Sequence, residues 1–451
     1  MAADPADVRP LFDIADRLIA EARRLGADAA DVLAVDGTAV EAGCRLGAVE
    51  DIGRSETRDL GLRVMVGQRQ ASVSTTDLSE RGLAPLAERA VAMARHAPED
   101  PFCGLAPEDR LAREVPDLDL LDTAEPDTEA LYAMALEAED VARQGNRIVN
   151  SNGAGAGYSR TRVVLATSAG FARAYGVTSY SLSCTVVAGD ENGMEVDGDF
   201  GSARHFADLR APAEIGREAA HRASRRLGPR KIATAQRPII FDPRMAAGLV
   251  GHFLGAISGS AVARGTSFLK DAMGTAVFAP GITIRDDPHK PRGLRSKPFD
   301  GEGVANRAMA LVEGGQLTTW LLDCATARQL GLETTGHASR GVGGPPSPSA
   351  TNVWLEPGPL TPDGLMADIA DGFFVTTLFG QGVNGVTGDY SRGAAGFHIK
   401  DGVLDHAVSE VTVAGNLKDM FRQMTPANDL EFRRGVDAPT VRVDGMTIAG
   451  A

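Results

Sequence analysis

Two glycine-rich loops gather the side chains best suited to chemistry. Thr335–Gly344 reads TGHASRGVGG, and Gly382–Gly396 reads GVNGVTGDYSRGAAG. Together they supply His337, Arg340, Asp389, Tyr390, Ser391 and Arg392. Long ordered loops carrying such groups are common sites of function. Backbone N–H groups of glycine-rich loops can hold a peptide or a carboxylate. Arg340 and Arg392 stand among residues too small to bury them alone. The competing reading is plain turn chemistry between strands.

Other chemistries find less support. The histidines are His96, His205, His221, His252, His289, His337, His398 and His406. None precedes Glu, so H-E-x-x-H is absent. No two lie three, four or five apart, so no helix face carries a paired set of imidazole ligands. A site assembled from distant histidines stays open as an alternative. GAISGSAVARGTS places serines beside glycines without G-x-S-x-G, and no P-loop occurs. GAGAGYSR at 153–160 precedes a strand instead of opening a helix and reads as a turn.

Composition narrows the classes. Against 60 acidic residues stand 46 Lys and Arg, a formal charge of -14. That argues against a general nucleic-acid binder, which normally shows a strong basic excess, and leaves room only for a local basic patch. The basic helix face of Arg217, Arg222, Arg225 and Arg226 therefore reads as solvated. Cys44, Cys103, Cys184 and Cys324 are scattered without a C-x-x-C pair, which fits reduced thiols. Cys184 alternates with Tyr180, Leu182 and Val186 and is expected in a core. MAADPADVRP lacks the apolar stretch of a secretory signal, and no run of eighteen apolar residues exists. The expected setting is cytoplasmic, with no membrane contact.

The elements that must position these residues suggest an α+β chain. Its 451 residues point to two or more domains. An N-terminal α/β domain is placed at 1–230 and a C-terminal, mainly antiparallel, barrel-like domain at 231–451, with GPRKIATAQ (228–236) as the linker. Leu11, Ile14, Leu18, Ala22 and Leu25 form a helical stripe, with Asp4 or Asp7 as its cap. Asp77 with Glu80 looks like a capping box for a second helix. Residues 97–126 read as a long loop, and a third helix follows Pro126. In the second half Asp242 and Pro243 open a helix carrying Gly248, Gly251, Gly255 and Gly259. Each glycine costs about 1 kcal/mol relative to alanine in a helix. That cost predicts another backbone lying close to this face. Glu313-Gly314-Gly315-Gln316 is predicted to turn a hairpin.

The runs GHFLGAISGSAVARGTSFLKD, APGITIRDDP, RGLRSKPFDGEGV, TTWLLDCATARQLGL, TGHASRG, GVNGVTGDYSRGAAGF, VSEVTVAGNLKDMF and DAPTVRVDGMTIAG strongly resemble the PmbA/TldE family. The resemblance covers the second half; the first half is compatible with weaker signatures. It implies an N-terminal α/β domain and a C-terminal antiparallel β domain. It also implies partnership with a zinc-bearing TldD subunit in a heterodimeric peptidase. Such peptidases clip leader peptides and degrade unfolded peptides, and the family is linked by name to modulation of DNA gyrase.

TldD subunits place H-E-x-x-x-H on the helix before a GTS like Gly265-Thr266-Ser267. From that anchor, the His positions fall on Val250 and Gly255 and the Glu position on Gly251. No cofactor is therefore expected in this chain, and zinc is expected in the TldD partner. The TldD ligand Cys near the C-terminus has no counterpart after Cys324. His252 is out of register and reads as structural. The resemblance thus implies a non-catalytic subunit that helps enclose an extended peptide, with a homodimer as an option when alone. The two loops are the cleft candidates. The alternatives are a protein-binding regulator or an independent metallopeptidase with an unrecognised site.

Overall fold

A computed structural model describes residues 5–191 and 193–450. The first half runs α1 (Pro5–Arg24), β1 (Ala29–Arg45), β2 (Ala48–Val66), β3 (Arg69–Thr75), α2 (Glu80–His96), α3 (Thr128–Arg143), β4 (Ile148–Thr167), β5 (Ala172–Asp190), β6 (Gly193–Ala203) and α4 (Pro212–Arg225). The strands form one antiparallel sheet, ordered β3-β2-β1-β4-β5-β6. Successive side chains on a strand point to opposite faces, and here the alternation divides the sheet's duties. Ala30, Val32, Ala34, Leu60, Leu62 and Val64 pack under α1 and α2. Further along the same face, Val40, Ala42, Ala156, Tyr158, Tyr180 and Leu182 pack under α3 and α4. The odd-numbered Leu33 and Leu165 turn the other way and meet Phe171, Phe299 and Val342. Helices thus cover one face, while part of the C-terminal half rests on the other.

Three local readings shift. GAGAGYSR lies inside β4 and is not a turn. Ala154, Ala156 and Tyr158 fill its helix side, a period-two pattern that the intervening glycines disguise. The cap of α2 is Ser79, whose side chain accepts from the Gly82 N–H; Asp77 instead accepts from the Ser79 N–H at 2.9 Å. Of the caps proposed for α1, Asp4 lies outside the described residues and Asp7 lies within the helix. Cys184 is buried, as its alternation predicts.

The second half begins with β7 (Ala235–Phe241), α5 (Pro243–Ala256), α6 (Gly259–Ala263), β8 (Ile284–Asp287), β9 (Met309–Glu313), β10 (Gln316–Leu317), α7 (Cys324–Leu330), β11 (Ala338–Ser339), β12 (Ser347–Pro348) and β13 (Asn352–Leu355). It continues through α8 (Pro362–Met366), β14 (Asp371–Phe379), β15 (Asp389–Lys400), β16 (Val403–Asn416), α9 (Leu417–Arg422), β17 (Met424–Pro426), β18 (Val436–Asp437) and β19 (Val441–Ala449). Strands β16, β15, β14, β7 and β19 pair in that order, and β16 pairs with β19 to close a five-stranded barrel. Only β7 and β14 run parallel within it. The expected α+β class, with a mainly antiparallel, barrel-like C-terminal region, is what the chain adopts. A second sheet, β10-β9-β8-β13-β18, stands beside the barrel. Its β9–β10 hairpin turns at Gly314 and Gly315, with φ of 57° and 91°, where only glycine is unstrained. Among the described residues no helix is long and apolar enough to cross a membrane.

Candidate functional site: a bare helix face beside the barrel

Helix α5 begins where the sequence says it must. The Asp242 carboxylate accepts the Met245 N–H at 2.9 Å, and Pro243 takes the first turn. Ala246, Leu249, Val250, Phe253 and Ala256 are buried. They join Ile239, Phe241, Phe373 and Val375 in the main core.

The opposite face is open. Gly248, Gly251 and Gly255 are exposed, and a Cβ placed on any of them would meet no neighbouring atom within 4 Å. The close backbone predicted from the four glycines occurs only at Gly259. There a Cβ would fall 2.9 Å from the Leu321 carbonyl oxygen and 2.6 Å from Thr326 Oγ1. The other three glycines leave a strip of helix backbone uncovered. Beside it His252 packs edge-on to Tyr390, ring centroids 5.9 Å apart. Burial first, and then the Arg392 charge, pull the His252 pKa down and favour the neutral imidazole.

Tyr390 and Arg392 lie two apart on β15 and so share one face of the strand. The Tyr390 hydroxyl and Arg392 Nε are buried without a hydrogen-bond partner among the described residues. Burial pushes the Tyr390 hydroxyl up to about 12, so it remains a donor. Buried polar groups are normally satisfied, and two unmet donors next to a bare helix backbone can serve carbonyl or carboxylate oxygens. Asp389 and Ser391 alternate to the exposed side. Asp389 accepts from Thr387 Oγ1 at 2.6 Å and Asn416 Nδ2 at 3.0 Å, which organises the turn.

The other candidate loop goes to the interior. His337 is 2% exposed, with Nε2 3.1 Å from Asp286 Oδ2 and Nδ1 2.8 Å from Thr335 Oγ1. Arg340 pairs with Asp31 of β1, which also receives Arg63 Nε at 2.9 Å and Nη2 at 2.5 Å. One buried carboxylate between two guanidinium groups thus joins the two halves of the chain. Nearby Asp300 is pushed up to about 7 by burial and by the charge of Glu302. No hydrogen bond or ion pair among the described residues links His337 or Arg340 to Tyr390 or Arg392. Sequence reasoning missed Asp31 and Arg63, although each is a lone charge inside an apolar strand run. The arginine face of α4, expected to be solvated, is so only in part: Arg217 and Arg225 are exposed, whereas Arg222 pairs with Asp199 and Glu218, and Arg226 with Glu195 and Asp197.

Comparison with known proteins places this geometry. Family models described as PmbA/TldA metallopeptidase domain 1, central domain and C-terminal domain match residues 30–94, 121–227 and 234–450. Metalloprotease PmbA of Escherichia coli O157:H7 is 38% identical across 94% of this chain and 92% of its own length. This chain belongs to the PmbA/TldD metallopeptidase family. A Metalloprotease PmbA homolog of Haemophilus influenzae is also 38% identical, across 93% of this chain and 91% of its own. A candidate modulator of DNA gyrase from Bacteroides thetaiotaomicron superposes with TM-score 0.90 at 26% identity, covering 98% of this chain and 99% of that one. TldE from Thermococcus kodakarensis has the same fold: TM-score 0.87, 22% identity, 97% of this chain and 100% of that one.

The metallopeptidase description implies a metal, and the resemblance to TldD subunits makes α5 the helix on which to test it. The donors on that helix do not fit one. Val250, Gly251 and Gly255 offer no ligand atom, and Val250 is buried. The single imidazole, His252, packs against Tyr390. Catalytic zinc needs three protein ligands. We therefore derive no step through a metal at this helix.

Proposed function

We propose that this chain is the non-catalytic subunit, without the H-E-x-x-x-H zinc motif, of a two-chain peptidase of TldD/TldE type. Its TldD-like partner carries the H-E-x-x-x-H helix and the zinc. This chain completes the enclosure and holds an extended, unfolded peptide, in a cytoplasmic setting. What supports the reading is the bare strip of Gly248, Gly251 and Gly255 beside the unmet donors of Tyr390 and Arg392. Side chains at those three positions would stand in the way of a peptide backbone. The Tyr390 hydroxyl can donate to a peptide carbonyl, and the Arg392 guanidinium can attract a carbonyl or terminal carboxylate. Recognition through the peptide main chain fits processing of many sequences.

The test is co-purification with a TldD-type subunit, followed by hydrolysis of an unfolded peptide. Arg392→Met is expected to lower turnover several-fold and leave the complex assembled. Dissociation would make Arg392 an interface residue, and unchanged turnover would remove it from the cleft.

A further inference from the structure

Away from α5, the barrel carries a second constellation. The β15–β16 ladder pairs Phe397 with Ala407 but Ile399 with Leu404. One residue, His398, therefore faces two, Asp405 and His406. In a regular ladder neighbours such as Asp405 and His406 point to opposite faces. The bulge brings both toward His398, and bulges commonly re-aim side chains next to functional sites.

The resulting geometry is that of a ligand set. His398 Nδ1 lies 3.4 Å and His406 Nδ1 2.9 Å from the same Asp405 oxygen, Oδ2. One ligand atom from each residue lies within 4.8 Å of the others. A tetrahedral ion with bonds of about 2.0–2.1 Å separates its ligands by about 3.3 Å. Of the two spacings to Asp405, one already matches and one must open by about half an ångström, and the His398–His406 spacing lies within 4.8 Å. The three side chains are 16%, 45% and 20% exposed, so an ion can enter.

A supporting shell is also in place. His398 Nε2 lies 2.9 Å from Asp371 Oδ1, and Arg237 Nε donates to Asp371 Oδ2 at 2.9 Å. Arg237 thus orients Asp371, and Asp371 orients His398. A carboxylate behind the imidazole fixes its tautomer and leaves Nδ1 bare for a metal. His398 faces carboxylates through both ring nitrogens.

We infer that His398, Asp405 and His406 form a site for a divalent ion of zinc's class, with its fourth position open to water. Two imidazoles and one carboxylate suit that class. The site lies next to the joint between the two halves: the Arg230 N–H donates to the Ala407 carbonyl at 2.8 Å. Metal there ties the bulge of β16 to β15, independently of the peptide cleft.

The test is competition titration of the metal-stripped full chain, purified alone, with zinc chloride and a chromophoric chelator. One Zn2+ per chain is expected. His398→Ala and His406→Ala should each lower affinity by about 100-fold or more, and Asp371→Asn by about 10- to 100-fold, the usual effect of losing such a support. His252→Ala should leave affinity unchanged. Thermal unfolding of the stripped variants checks that they fold. Absence of stoichiometric binding by the wild-type chain, or full binding by the folded His398→Ala/His406→Ala variant, overturns the site. Loss of zinc on His252→Ala would overturn it and the metal-free reading of α5 together.

Discussion

Gly248→Ala and Gly251→Ala are expected to stabilise this protein. Both positions lie inside α5, have helical backbone, and leave room for a Cβ that meets nothing within 4 Å. The gain is the helix-propensity difference, about 1 kcal/mol for each interior position. For a cooperative unit of about 220 residues, 1 kcal/mol moves the unfolding midpoint by about 2–4 °C. The double variant should therefore melt about 4–8 °C higher in scanning calorimetry. Gly259→Ala is the control with the opposite sign, because its Cβ would collide with the Leu321 carbonyl oxygen. Gly251→Trp completes the series: it should fold, because the space is open, and abolish peptide turnover by the complex. If the double alanine variant melted lower, as Gly259→Ala should, the strip would be covered and the cleft argument would fail.

Tyr390→Phe removes a buried hydroxyl without a partner. It should raise stability by about 1 kcal/mol while weakening peptide binding, measured by denaturation and by titration with a fluorescent peptide. Asp31→Ala leaves Arg63 and Arg340 buried without their shared carboxylate. A loss of about 3–5 kcal/mol is expected in guanidinium unfolding. The pH dependence follows from Asp300, raised from 3.8 to about 7. Between those values the folded chain holds a proton that the unfolded chain has released. Asp300 therefore makes stability fall as pH rises from about 4 to about 7, with no further change above. Urea midpoints across that range should show the decline, and Glu302→Gln should reduce it by removing the like charge.

Where physical periodicity was strong, the fold was legible in the residues. The stripe of α1, the cap of Asp242 and Pro243, the glycine turn after β9 and the alternation of β5 each depend on neighbours in sequence. Closure of the barrel through β16 and β19 does not, although glycine turns between short strands announced the architecture. The glycines of α5 show the limit. Their energetic cost was visible, but packing contact and open space are equally good reasons to omit a Cβ. Tyr390 and Arg392 could be picked out by type, whereas their unmet donors depend on what the folded chain places around them. Arg340 lost its surface character because Asp31, more than three hundred residues earlier, waits on the sheet face. The β16 bulge left no local mark, so the convergence of His398, Asp405 and His406 needed the strand register.

The central claim is that catalysis requires a second chain. It is tested most directly by measuring hydrolysis of an unfolded peptide by this protein alone, zinc-loaded, and then with a TldD-type subunit bearing H-E-x-x-x-H. No turnover is expected from the chain alone, even with zinc bound, and zinc-dependent turnover is expected from the pair. Zinc-dependent hydrolysis by the chain alone, lost on His252→Ala, would contradict it.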